Sequence, residues 1–179
     1  MSGALSEIPP MVIGGSIISA VSLILHIIGF STTYWYLEKK DGGTIAHIGL
    51  WKYCAPAEGG LVEMCVDMTD APSYNSQYKA AQALECLALL AFVAAVVCAF
   101  LKVFVLKEKR MMFVVTGFLN LISGITALIG VIVFATFSYD DFKFDGSMFH
   151  YSFGLCIVGG IGGIFSGIVF ILAWRWVRN

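Results

Sequence analysis

The chain has 179 residues, of which 59% are apolar and 13% charged, with a formal net charge of −1 and a mean hydropathy of +0.85. Ordinary globular domains carry roughly 25% charged residues, so this composition excludes a soluble fold and makes the bilayer the solvent. Near-neutrality also removes the basic footprint that a nucleic-acid binder needs, and the length suits one domain.

The first ten residues hold one charge, Glu7, and end in Pro9-Pro10. No basic region precedes the apolar run that follows, and that run is far longer than a signal-peptide core of about 7–15 residues, so it reads as a retained anchor. From Ile8 to Leu37 there is no Asp, Glu, Lys or Arg, ample for the ~20 residues that cross a hydrocarbon core. The first span is expected at about 11–34 and the second at about 80–101, with Glu85 its single charge. The third, about 111–137, and the fourth, about 151–174, are uncharged.

Orientation follows from the connections. Lys102, Lys107, Lys109 and Arg110 cluster between spans two and three, and Arg175 and Arg178 follow span four. The other loops dilute their lysines with many Asp and Glu residues. Basic clusters mark the cytoplasmic side, which makes 102–110 a cytoplasmic loop and 175–179 a cytoplasmic tail. Segments 35–79 and 138–150 are then extracellular, and both termini of this multi-pass plasma-membrane protein lie inside.

The first extracellular segment opens at Trp35, an amphipathic ring at the headgroup level. Asp41-Gly42-Gly43 and Glu58-Gly59-Gly60 punctuate three runs of β-formers, Tyr34 to Leu37, Thr44 to Trp51 and Leu61 to Val66. Gly-containing loops between such runs read as hairpins, which puts Cys54 and Cys65 on neighbouring strands. A disulfide is feasible there, and an exterior loop is made in an oxidising compartment. Closing a loop of about twelve residues would add roughly 3 kcal/mol in the chain-entropy model. Two free thiols are the alternative. A closed zinc site is disfavoured because it needs four ligands and His47 is the one loop histidine near the pair. Cys86, Cys98 and Cys156 fall in apolar runs, where cysteine is usually an inert small hydrophobe.

Span four carries Gly159, Gly163 and Gly167 at a spacing of four. Helices in lipid cannot associate by expelling water, so small residues that let backbones approach take over that task. This face serves either packing within the bundle or lateral self-association. Glu85 and His26 each lie several residues inside a span; buried ionisable groups tend to pair, so a hydrogen bond between them is expected, with a snorkelling Glu85 as the alternative. Asn120 in mid-span reads as interhelical glue. No phosphate loop, His-x-x-x-His pair, Gly-x-Ser-x-Gly elbow or paired carboxylates occur. Hence no catalytic residue, cofactor, metal site or small-molecule substrate is expected, and the spans lack the polar lining of a pore.

Trp35, Gly49-Leu50-Trp51-Lys52-Tyr53-Cys54 and Cys65 resemble the signature of the peripheral myelin protein, epithelial membrane protein, lens fibre membrane protein and claudin superfamily. The resemblance extends through all four spans, in Lys79-Ala80-Ala81-Gln82-Ala83-Leu84, Thr116-Gly117-Phe118, Ser123-Gly124 and Tyr151-Ser152-Phe153. Gln82 stands where claudins usually carry Arg, the last residues, ending in Asn179, do not read as a PDZ ligand, and no Asn-x-Ser/Thr acceptor occurs in the loops. The resemblance implies an all-α four-helix transmembrane bundle capped by a small extracellular antiparallel β-sheet, with Cys54 bridged to Cys65 and Trp51 wedged near the bundle top. Two roles follow: a structural protein of cell contacts, or an auxiliary subunit of a channel or receptor, like the calcium-channel gamma subunits. Partners are then membrane lipid and other membrane proteins, copies of itself included, in cis and in trans. Met148 and Phe149 are expected as exposed contact residues, as are loop tips such as 38–43.

Overall fold

The computed structural model describes residues 10–40, 43–57, 62–71, 74–106, 109–139, 142–143 and 146–178. Four helices, each long and apolar enough to cross a membrane, form a bundle: α1 (Pro10–Ser31), α2 (Ser76–Phe104), α3 (Met111–Ala135) and α4 (Tyr151–Arg178). Between α1 and α2 the chain forms β1 (Tyr36–Lys40), β2 (Gly43–Ile48), β3 (Lys52–Pro56) and β4 (Glu63–Asp67). These make one antiparallel sheet in the order β1-β2-β3-β4. A two-residue ribbon, β5 (Ser138–Tyr139) with β6 (Phe142–Lys143), follows α3.

The helix ends differ from the sequence reading for local reasons. α1 stops at Ser31, where the Gly29 and Phe30 carbonyls that a further turn would use accept instead from the indole N–H groups of Trp35 and Trp51. α2 begins before 80 because Asn75 caps it, its side chain accepting from the Tyr78 N–H at 3.0 Å. The run from Thr44 to Trp51 is not one strand. Gly49 donates its N–H to the Lys52 carbonyl at 2.8 Å and reverses the chain, so β3 is a strand that hydropathy did not separate.

Inside the bundle the packing unit is the small residue. α1 buries Gly15, Ser19, Ser22, His26 and Gly29 along one stripe. Gly159, Gly163 and Gly167 of α4 are all buried between neighbours. A Cβ on Gly159 would stand 3.0 Å from the Ser22 carbonyl oxygen of α1, and one on Gly167 2.8 Å from the Gly117 carbonyl oxygen of α3. Of the two roles open to this stripe, packing within the bundle therefore uses all three glycines. Buried hydroxyls and amides cross-link the helices: Ser19 donates to Asn120 Oδ1 at 2.7 Å, and Ser166 to the Gly15 carbonyl at 2.9 Å. The seam between α1 and α2 is the loosest. Away from the sheet it opens into an apolar groove of about 270 Å³ lined by Ile13, Ile17, Val96, Phe100 and Phe104.

Backbone proximity makes the α3–α4 contact intolerant of a methyl group. A Cβ on Gly124 would lie 2.4 Å from the Gly160 carbonyl oxygen, whereas one on Gly14 meets nothing within 4 Å. Gly124→Ala should destabilise the folded bundle by about 1–3 kcal/mol, and Gly14→Ala should stay within about 0.5 kcal/mol of wild type. Unfolding titrations in mixed micelles check the pair.

Candidate functional site

The sheet is bolted to the bundle at a corner built from Trp35 and Gly49-Leu50-Trp51. Trp35 is wholly buried; its indole N–H donates to the Gly29 carbonyl at 2.7 Å, and its ring lies on Phe134 with centroids 4.8 Å apart. Trp51 donates its indole N–H to the Phe30 carbonyl at 3.0 Å and meets the Phe30 ring edge-on. Both acceptors are carbonyls of the last turn of α1, which has no intrahelical donor for them. The two signature tryptophans thus cap a helix C-terminus from outside the helix.

The carbonyls of the reversal are satisfied just as fully. Tyr78 of α2 donates its hydroxyl to the Gly49 carbonyl, Gln82 its amide to the Leu50 carbonyl at 2.8 Å, and the Met68 N–H reaches the Trp51 carbonyl at 2.8 Å. Gln82 is itself held, accepting from the Tyr74 hydroxyl at 3.0 Å. Sequence reasoning missed Tyr78 and noted Gln82 only as a family departure; its spacing of four from Tyr78 on α2 was the available signal. Gly49 is required here, since a Cβ would lie 2.5 Å from Thr33 Cα.

Cys54 and Cys65 stand directly opposite each other on β3 and β4 and form the disulfide. β4 is exposed along its whole length, with Val62 before it, Met64 and Val66 open to solvent. His47 on β2 bonds to the Glu63 carboxylate, approaches the Thr33 carbonyl at 3.2 Å and stacks on Tyr34 with centroids 4.3 Å apart. Because Glu63 is half exposed, that contact orders the sheet more than it stabilises it. Burial, aided by the Glu38 charge, raises the Tyr53 phenol above its ordinary range. Met148 and Phe149 are not the exposed contacts expected: both are partly buried on the corner core, and Phe149 stacks on Phe153 at 4.2 Å. They fold inward because the 146–150 segment is pinned to β1, with the His150 N–H on the Trp35 carbonyl and a bridge from Phe149 to Tyr36. Of the 38–43 tip, residues 41 and 42 lie outside the described residues.

Below the corner, His26 of α1 and Glu85 of α2 come together, both fully buried, with Nε2 3.6 Å from Glu85 Oε2. That separation is an ion-pair distance and too long for the expected hydrogen bond. His26 Nε2 lies nearer the Glu85 backbone carbonyl, at 3.4 Å. Cys156 of α4 joins them: one donor atom from each of the three residues falls within 4.8 Å of the others. Sequence reasoning treated Cys156 as a packing residue, and nothing along the chain links it to positions 26 and 85.

The model of the PMP-22/EMP/MP20/Claudin family matches residues 11–174. The chain belongs to that family. No curated protein sequence matches it as a relative. The claudin family consists of structural tetraspan membrane proteins, generally without enzymatic activity, that interact with lipids and other membrane proteins. Its fold is present here in full, four apolar helices and a four-stranded sheet, with a disulfide within the sheet.

In this claudin-family chain the corner depends on Gln82. Gln82→Ala leaves the buried Leu50 carbonyl without a partner, a loss of about 1–3 kcal/mol that thermal unfolding in detergent should register. Reduction of the disulfide should release roughly 3 kcal/mol of chain-entropy stabilisation. In hydrogen exchange the amides of β3 and β4 should then lose protection while those of α1 to α4 keep theirs.

Proposed function

We propose that the chain is a non-enzymatic protein of the cell surface that organises cell contacts, presenting its stapled sheet outside the plasma membrane with both termini in the cytoplasm. Lys102, Lys109 and Arg110 around the α2–α3 connection, and Arg175 near the end of α4, gather at the end away from the sheet. Short basic segments of this kind stay cytoplasmic. Lys107 belongs to the same cluster by sequence and lies outside the described residues.

The observation that carries the reading is β4. It closes the sheet order on one side, and Val62, Met64 and Val66 are 65%, 62% and 43% exposed on or beside a strand whose partner holds it covalently. Apolar side chains kept in water on a rigid strand edge are an interaction surface. The family's dealings with lipids and other membrane proteins accord with contact both in trans and in cis. For the auxiliary-subunit alternative the lateral surface has narrowed, because Gly159, Gly163 and Gly167 are engaged inside the bundle. A channel would have to dock on other lipid-facing side chains.

Vesicles carrying the purified chain with its sheet outward should cluster, as followed by light scattering, and the double variant Met64→Ser, Val66→Ser should abolish most of that clustering while leaving the disulfide intact. Vesicles that stay dispersed, together with recovery of the chain from native membranes in a stoichiometric complex with a larger channel, would favour the auxiliary role instead. Protease protection that places the sheet in the cytosol would overturn both.

A further inference from the structure

The three-helix cluster beneath the corner is unfinished. Both carboxylate oxygens of Glu85 and the Nδ1 of His26 are buried without a hydrogen-bond partner. Such groups are rare in folded proteins, and each one calls for an ion, a water or a chemical role. Their surroundings offer little else: the His26 ring lies against Phe92 and Phe30 with centroids 5.1 and 6.1 Å away. A proton on Glu85 would remove its charge and, with a small closure of the 3.6 Å gap, serve one oxygen and Nε2, but it would still leave the other oxygen and Nδ1 of His26 unpaired.

Space has been cleared for these groups at the expense of side chains. A Cβ on Gly130 of α3 would sit 2.5 Å from Glu85 Oε1, and one on Gly29 of α1 would sit 2.6 Å from the Cys156 sulfur. Gly29 also meets the Ser152 carbonyl oxygen at 2.6 Å, as close helix packing requires, but at Gly130 the three nearest atoms all belong to the Glu85 side chain.

We propose that His26, Glu85 and Cys156 bind a zinc ion inside the bundle. One imidazole nitrogen, one carboxylate oxygen and one sulfur form a mixed donor set that suits this borderline-soft cation, whereas magnesium and calcium take oxygen ligands. The donors lie within 4.8 Å of one another, and bonds of about 2.0–2.3 Å to a tetrahedral centre require them to close to roughly 3.3–3.8 Å. Side-chain rotation supplies that. Charge also balances: a dication with one thiolate, one carboxylate and a neutral imidazole is neutral overall, which a lipid-embedded core tolerates where a lone carboxylate is costly. On binding, the thiol proton and any carboxyl proton leave to solvent as the metal–sulfur and metal–oxygen bonds form. The three protein ligands leave the fourth position to a water. The ion would tie α1, α2 and α4 together across the loosest seam of the bundle.

The test uses the full-length chain produced in zinc-depleted, cobalt-supplemented medium, so that metal is acquired during folding, and purified in detergent. A single equivalent of cobalt per chain is expected, with a thiolate-to-cobalt charge-transfer band and the intense visible bands of a four-coordinate ion, all erased by added zinc. Cys156→Ser should lose the charge-transfer band, and Glu85→Gln should weaken binding at least about tenfold. The triple variant Cys86→Ser, Cys98→Ser, His47→Ala should keep the full signal. Wild-type protein with its Cys54–Cys65 bridge and helical circular dichroism intact but no such band would overturn the site. So would a band that survives Cys156→Ser or disappears in the triple variant. Should Cys156→Ser fail to fold, the wild-type spectrum and the triple variant still decide.

Discussion

Two indole N–H groups hold the sheet to the bundle. α1 ends without the glycine that commonly closes a helix, and its last carbonyls would face the membrane boundary unpaired. Trp35 and Trp51, sixteen positions apart in the chain, donate to Gly29 and Phe30, one residue apart on α1. The first arrives at the opening of β1 and the second at the turn between β2 and β3. Sheet and helix therefore share hydrogen bonds that neither can make alone. The Gly-Leu-Trp turn is satisfied from α2 in the same way, by Tyr78 and Gln82. The corner is one cooperative unit whose loss would expose orphan backbone groups on both sides.

Beneath the corner, cohesion has a different origin. In lipid, burying more apolar surface brings little, because the tails are as apolar as leucine. Backbone-to-backbone proximity through Gly117, Gly124, Gly160 and Gly167, together with polar bridges such as Ser19 to Asn120, takes its place. Many larger side chains lie on the lipid-facing side, where Phe118, Ile122, Ile161 and Phe165 stand more than half exposed within the protein, while Phe92, Phe134 and Phe170 stay fully buried.

Much of this was legible in the residues. Charge-free runs mark spans because charges are so costly in lipid, and Gly pairs beside β-formers mark hairpins because only glycine takes the required turns freely. The approach of His26 to Glu85 was foreseeable from depth alone, since each lies a similar distance inside its span. Contacts set by the rotation of a helix were not. Cys156 joins that pair because of how α4 turns toward α1, and a cysteine in an apolar run looks the same on any face. β3 was hidden because the Gly49 reversal depends on tertiary closeness to Thr33, with no turn dipeptide to announce it. Met148 and Phe149 read as exposed loop apolars because the backbone pins on 146–150 come from β1, more than a hundred residues earlier.

The four helices do not end level. Measured from the His26, Glu85, Cys156 and Gly130 layer, α1, α4 and α3 each run five residues toward the sheet (26 to 31, 156 to 151, 130 to 135), whereas α2 runs nine (85 to 76). At 1.5 Å per residue the difference is about 6 Å, one added turn on one helix only. Tyr78 stands on that turn, and Gln77 beside it reaches across to the Val133 carbonyl of α3 at 3.1 Å. The rim is flush on three sides with a single parapet on the fourth, and Tyr78 of that parapet donates to the Gly49 carbonyl at the turn between β2 and β3. The helix that outreaches the others is thereby the one whose hydroxyl meets that turn.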